Sequence, residues 1–248
     1  MHYTLSIIES LMQTDADVLL AVNGLHSSFF DTFMFLCSDK WAWVVFYASL
    51  FYVLLRNYSL RTALMLLLFI ALTIVLADQL TAHVLRPYFG RLRPANLNNP
   101  LSQWVHVVNN YRGGPYSVPS SHAANTAGLA FFCTFLFRQR WFSWMMAAWM
   151  LLVCYSRMYL GVHYPGDLIA GILLGALCAA VTFGSYCRLQ QVERLSLDPV
   201  RKESTAFVHL YVPALMLLLT VLAFLVCSFN FGTQITQITQ MPQIISHF

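Results

Sequence analysis

The sequence predicts an all-α, polytopic transmembrane helix bundle of about six spans, with an interfacial helix at its N-terminus. Hydrophobic residues make up 58% of the 248 and charged residues only 10%, against about 25% charged in a soluble domain. Apolar runs recur near 41–56, 60–84, 122–137, 141–158, 165–187 and 207–229. Several of them reach the roughly 17–25 residues that a helix needs to cross a bilayer. Lipid cannot hydrogen-bond an exposed backbone, so each run has to be helical.

Residues 3–22 read as an amphipathic helix lying on the membrane surface. They lack the basic start of a signal peptide and carry Glu9, Asp15 and Asp17. The alternative is a tilted first span within 18–36. The spans at 41–56 and 60–84 follow. The longest polar stretch, 86–121, is rich in Pro, Gly and Asn and reads as an irregular loop, of a length that often carries function. The third span, 122–137, is short and is expected to extend into its flanks. The fifth collects Gly166, Ala170, Gly171, Gly175 and Ala176. Its Gly171–Gly175 pair forms a GxxxG, which suits close packing within the bundle or dimerisation. Residues 188–206 read as a polar cytoplasmic linker to an extra C-terminal span at 207–229, and the tail repeats TQI twice. The whole of 1–248 reads as one membrane domain with its core at 41–187.

The net charge is +4, and its placement carries more information than its size. Arg56 and Arg61 occupy one short turn, Arg138 and Arg140 another, and Arg188, Arg194, Arg201 and Lys202 a third. These turns alternate in the topology, so the positive-inside rule makes them cytoplasmic and turns 85–121 and 157–165 outward. No basic stripe with interleaved aromatics is present, which argues against a nucleic-acid partner. The six cysteines form no CxxC and read as buried small apolar residues, without disulfide or zinc.

Three polar clusters break the apolar pattern, all at span ends on the outward side. The first is "RPYFGRLRP". Arg86 and Arg93 are seven apart, two turns if helical, and forked guanidiniums suit phosphate oxygens. An ordinary basic loop touching lipid headgroups is the simpler reading. The second is "PSSH" at 119–122, which opens the third span. A helix N-terminus holds anions, Ser120 and Ser121 can cap or donate, and His122 can move a proton. A plain serine cap with an interfacial histidine is the alternative. The third is "SRMYLGVHYPGD" at 156–167. Arg157 ends one span, and His163 and Asp167 are four apart across the next boundary. Such an Asp can fix the imidazole tautomer and leave the other nitrogen free to attack. A structural His–Asp pair is the alternative, yet ionisable groups at membrane depth are costly and usually functional.

Taken together, the clusters resemble the type 2 phosphatidic acid phosphatase (PAP2) superfamily, whose motifs are K-x6-R-P, P-S-G-H and S-R-x5-H-x3-D. Here they read Arg86-x6-Arg93-Pro94, Pro119-Ser120-Ser121-His122 and Ser156-Arg157-x5-His163-x3-Asp167. Arg86 stands where the family has Lys, and Ser121 where it has Gly, which is tolerable if the backbone needs no positive φ there. The resemblance implies a metal-free, cofactor-free lipid phosphatase acting through a phosphohistidine. His163 would attack, Asp167 orient it and His122 handle the proton, while Arg86, Arg93, Ser120, Ser121 and Arg157 bind phosphate. It implies a membrane lipid phosphate or diphosphate as substrate, such as lipid A, undecaprenyl diphosphate, phosphatidylglycerol phosphate or phosphatidic acid. It also implies a bacterial cytoplasmic (inner) membrane location, an outward-facing site, and a monomer or homodimer. The loop at 95–118, with Tyr111 and Tyr116, would set the choice of lipid. A phosphotransferase would use the same residues. A lipid or anion transporter would also want Arg and His, but no inverted repeat is visible.

Overall fold

The computed structural model describes residues 2–192 and 209–240. Each expected span contains a helix among the described residues. The elements are α1 (His2–Asn23), α2 (Ser28–Ser38), α3 (Val44–Asn57), α4 (Leu60–Phe89), α5 (Ser121–Phe137), α6 (Arg140–Tyr159), α7 (Pro165–Val192) and α8 (Tyr211–Gln240). Residues 193–206 of the expected linker, and 241–248 of the tail, lie outside the described residues. The TQI repeat falls inside α8.

On length and composition α4, α7 and α8 can cross a membrane, three of the six expected spans, and α1 with α2 passes only as a pair bent by 118°. The others fall short for simple reasons. α3 has 14 residues and α5 has 17. α6 has 20 but gives positions to Arg140, Ser143, Ser156 and Arg157. Outward faces of the three long helices are apolar every fourth residue: Leu64, Leu68 and Leu72 on α4, Leu173, Leu177 and Val181 on α7, Leu218, Leu222 and Val226 on α8. Stripes this large suit hydrocarbon rather than water.

α5 is the central helix. It packs on α4, α6 and α7, and with α7 forms the most extensive helix pair. It shows no polar face, because its buried residues, among them Ala123, Ala124, Gly128, Leu129, Phe132 and Cys133, run all round it. The α5–α7 pair is close because both helices are small at the contact. A Cβ on Gly175 would lie 2.2 Å from the Ala124 carbonyl oxygen, and one on Gly171 2.6 Å from that of Ser120. The GxxxG therefore packs within the bundle. On the far side α8 covers α2 and α3, where Trp43, Phe46, Trp149 and Phe224 form an aromatic cluster with ring centroids 5.1–6.4 Å apart.

Two local expectations are corrected. Arg86 and Arg93 do not share a helix face. α4 widens into a π-helical turn at Leu80–Leu85 ahead of Pro87, which has no N–H to bond the carbonyl four residues back. The helix then stops at Phe89, where Gly90 turns left-handed at φ 60°. The N-terminal helix forms as expected but does more than lie on a surface, since Leu19 and Asn23 are buried. The Asn23 side chain accepts from the His106 N–H (2.7 Å) and donates to the His106 and Tyr159 carbonyls (2.9 and 2.7 Å). On α2, Asp31 takes His106 Nε2 at 2.9 Å and the Tyr159 hydroxyl at 2.7 Å. The long loop is thus pinned across the helix ends.

Candidate active site

Helix polarity explains why the clusters meet. The C-terminal ends of α4 and α6 and the N-terminal ends of α5 and α7 lie at one end of the bundle, each carrying one cluster or part of one. Ser120 is extended (φ −79°, ψ 117°) and caps α5, its Oγ accepting from the Ala123 N–H at 3.4 Å. Its own N–H donates to the Asp167 carbonyl at 3.0 Å, which ties the start of α5 to the start of α7. Ser121 is the first helical residue and has no positive φ, so a side chain costs nothing where the family motif has glycine.

At the start of α7, Pro165 occupies the first helical position. Asp167 sits two residues further and reaches back to accept the Tyr164 N–H at 2.8 Å, as the third residue of a capping box does. The same oxygen, Oδ2, faces His163 Nδ1 at 3.4 Å. His163 Nε2 lies 3.1 Å from Arg93 Nη1. A guanidinium can only donate. Nε2 therefore carries the lone pair, and Nδ1 carries the proton that points at Asp167. Both His163 and Asp167 are fully buried. Burial first, and then the charges of Arg93 and Arg157, hold the His163 imidazole well below its usual pKa.

The guanidiniums surround this imidazole. Arg93 is buried, with Nε donating to the Tyr116 carbonyl at 3.0 Å. Burial and the neighbouring Arg86 and Arg157 push it down to about 10, so it stays charged at neutral pH. Gly113 makes room for it: with φ 69°, a Cβ there would lie 2.8 Å from Arg93 Nη1. Arg86 Nε donates to the Pro119 carbonyl at 3.2 Å. Arg157 is 2% exposed, donates to Ser38 Oγ and, at 3.1 Å, to the Tyr111 hydroxyl, and its Nε–H is buried without a partner. Among the described residues none of the three is paired with a carboxylate. Buried cations without counter-ions are expensive. A convergent cluster of them beside an imidazole nitrogen that carries a lone pair is suited to an anion.

The chain belongs to the PAP2 superfamily. The model of that superfamily matches residues 63–190, which hold all three motifs. PAP2 relatives include a lipid A 4'-phosphatase of Bacteroides thetaiotaomicron, 48% identical over 169 residues, 68% of this chain and 75% of the relative. A lipid A 4'-phosphatase of Porphyromonas gingivalis is 31% identical over 179 residues, 72% of this chain and 75% of the relative. A transmembrane PAP2-type phosphatidylglycerolphosphate phosphatase of Bacillus subtilis has the same fold at a TM-score of 0.50 and 21% identity, covering 73% of this chain and 88% of that one.

The eight residues named from the sequence fall in this one region of the PAP2 fold. His122 and Ser121 line the head of a cavity of about 500 Å³. Ser38, Lys40, Asp78 and Asn125 share that head, and the walls descend through Ile74, Ala71 and Leu67 of α4 and Leu50 and Leu54 of α3. From Asp78 to Leu67 is eleven residues of helix, about 16 Å at 1.5 Å per residue, roughly half of a ~30 Å hydrocarbon core. Asp78 is bonded to Asn125 (3.5 Å) rather than to an arginine. Sequence reasoning missed Ser38, which no local pattern marks, and the Arg157 contact of Tyr111. It also passed over Arg91, Asp15 and Gly113. Among the described residues no three His, Cys, Asp or Glu side chains converge on a metal-sized site.

Proposed function

We propose that this PAP2 phosphatase removes a phosphate from the headgroup of a membrane lipid, with lipid A the leading substrate, by way of a phosphohistidine on His163. The observation that carries the reading is the single tautomer of His163, its Nε2 lone pair presented among three arginines that have no carboxylate partner. The 48% identity to a lipid A 4'-phosphatase supports the substrate.

In the first step His163 Nε2 attacks phosphorus. The N–P bond forms as the P–O bond to the lipid breaks, and His122 gives its proton to the departing sugar oxygen. Arg86, Arg93, Arg157, Ser120 and the Ser121 N–H balance the charge on the phosphoryl oxygens, which is where a dissociative transition state spreads it. In the second step His122 takes a proton from water as that water attacks phosphorus, phosphate leaves, and His163 is restored. Asp167 holds the Nδ1 proton and the developing positive charge throughout. The apolar cavity beneath His122 would take a lipid chain to the depth of one leaflet. Guanidinium balances the phosphate charge, so release is expected to persist in EDTA. We place the protein in the inner membrane as one domain, monomer or homodimer, with its site facing the periplasm. Arg56, Arg61, Arg138, Arg140 and Arg188 at the other end support this orientation by the positive-inside rule.

The test is phosphate release by the detergent-purified chain, in EDTA, from lipid A, undecaprenyl diphosphate, phosphatidylglycerol phosphate and phosphatidic acid, beside His163→Ala. An alkali-stable, acid-labile phosphoenzyme in the wild type, absent with release from the variant, is the expected result. Full activity in His163→Ala would end the proposal. Release seen only with an acceptor lipid would make the protein a phosphotransferase.

A further inference from the structure

Arg91 lies between Arg86 and Arg93 but turns away from the phosphate cage. Its Nη1 donates to Asp15 Oδ2 at 2.6 Å and to Asp167 Oδ1 at 3.3 Å. Its guanidinium carbon lies over the Tyr164 ring, 3.6 Å from the centroid. Asp15 belongs to α1, 76 residues before Arg91 in sequence, and its other oxygen accepts the N–H of Gly166, 151 residues away, at 2.7 Å. That approach is close: a Cβ on Gly166 would meet the Asp15 carboxylate at 3.1 Å.

The four carboxylate oxygens divide the work. Asp167 Oδ2 serves His163 and the Tyr164 N–H, while Oδ1 is held by Arg91. Asp15 Oδ2 holds Arg91 from the other side, and Oδ1 grips the backbone beside Asp167. The side chain of Asp167 is 0% exposed, that of Asp15 13% and that of Arg91 21%. The Tyr164 N–H holds one oxygen of Asp167 and Arg91 the other, and the two together set the turn of the carboxylate that keeps Oδ2 on the imidazole.

We propose that Arg91 and Asp15 are positioning residues for the phosphatase reaction: α1 is a strap whose Asp15 locks Arg91 onto Asp167 and thereby fixes the His163 tautomer. The inference rests on the reading of His163 and Asp167 given above. Neither Arg91 nor Asp15 touches the phosphoryl group, so their loss acts on turnover rather than on binding.

The experiment compares Arg91→Gln, Arg91→Lys and Asp15→Asn with wild type in the full-length chain, measuring kcat and KM on lipid A in the monodisperse fraction. Arg91→Gln is expected to lower kcat by about 10- to 100-fold, the range for loss of a group that orients an imidazole through its partner, with KM within about twofold. Arg91→Lys restores part of the loss, because an ammonium keeps the charge beside Asp167 but cannot stack on the Tyr164 ring as the planar guanidinium does. Asp15→Asn gives a smaller fall in kcat, and the double variant falls no further than Arg91→Gln alone. Unchanged kcat in Arg91→Gln and Asp15→Asn, or a loss confined to KM, overturns the inference. If Arg91→Gln does not fold, wild-type kcat in both Arg91→Lys and Asp15→Asn overturns it equally. His163→Ala run alongside separates the two levels. If that variant is active the mechanism itself has failed; if it is dead while the positioning variants run at wild-type rate, only the strap has.

Discussion

Gly175→Ala adds one methyl group far from any reacting atom, yet it is expected to damage catalysis. The new Cβ would sit 2.2 Å from the Ala124 carbonyl oxygen, 2.8 Å from the Gly128 nitrogen and 2.9 Å from Ala127 Cβ. All three neighbours belong to the central helix, and two are backbone or nearly so, which leaves no side chain to swing aside. An ordinary C···O approach is about 3.3 Å, so α5 and α7 must part by about 1 Å. Overpacking of this kind costs about 1–3 kcal/mol. The same shift moves Ser120, Ser121 and His122, at the head of α5, away from His163 and Asp167 at the head of α7, and a misplacement of about 1 Å can cost 10²-fold in rate. Gly184→Ala is the control, on the same helix, with nothing within 4 Å of its added Cβ. Phosphate release and thermal unfolding of both variants in detergent decide the matter. Gly175→Ala should lose about 100-fold in kcat and melt earlier, while Gly184→Ala keeps both. Equal, near-wild-type activity in the two would refute the claim that this helix contact sets the site geometry.

Arg157→Met should lower kcat by about 10²–10³, the scale for one lost transition-state donor, while leaving the melting temperature unchanged or higher, because a buried cation without a carboxylate is removed; a fall in both would mark Arg157 as structural. Ala71→Trp, midway down the cavity, should raise KM for long-chain substrates and spare a short-chain phosphate ester, and an equal effect on both would show that the cavity does not take the chain. The depressed pKa of His163 has a stability sign. The unfolded chain takes up its proton near 6.5, before the folded one, so stability is flat above that pH and falls below it by up to about 1.4 kcal/mol per unit. Wild type should therefore lose more melting temperature than His163→Gln between pH 6.5 and 5, and parallel curves would contradict the assignment.

The helices were legible because hydrophobic runs of bilayer length leave the backbone no other solution, and the three motifs were legible because their spacing is local. The His163–Asp167 pair follows from a four-residue offset across a helix start, and it stands at that offset in the structure. Arg86 and Arg93 also end in one site, but by a different route from the two helical turns their spacing suggests, because Pro87 and Gly90 break the helix between them. Span count was less legible: a short central helix with four alanines in its first ten residues is buried by its neighbours, and hydropathy alone does not report that.

Sequence alone determined the membrane class and the family motifs and named the eight candidate site residues, since each depends on composition or on short-range spacing. Only the tertiary structure decided that α1 reaches the site through Asp15 and Arg91, that Ser38 and Tyr111 hold Arg157, and that the cavity opens under His122. Those contacts join residues from 46 to 119 positions apart, and chain separations of that size carry no local signal: they exist only once helix packing has brought four helix ends together.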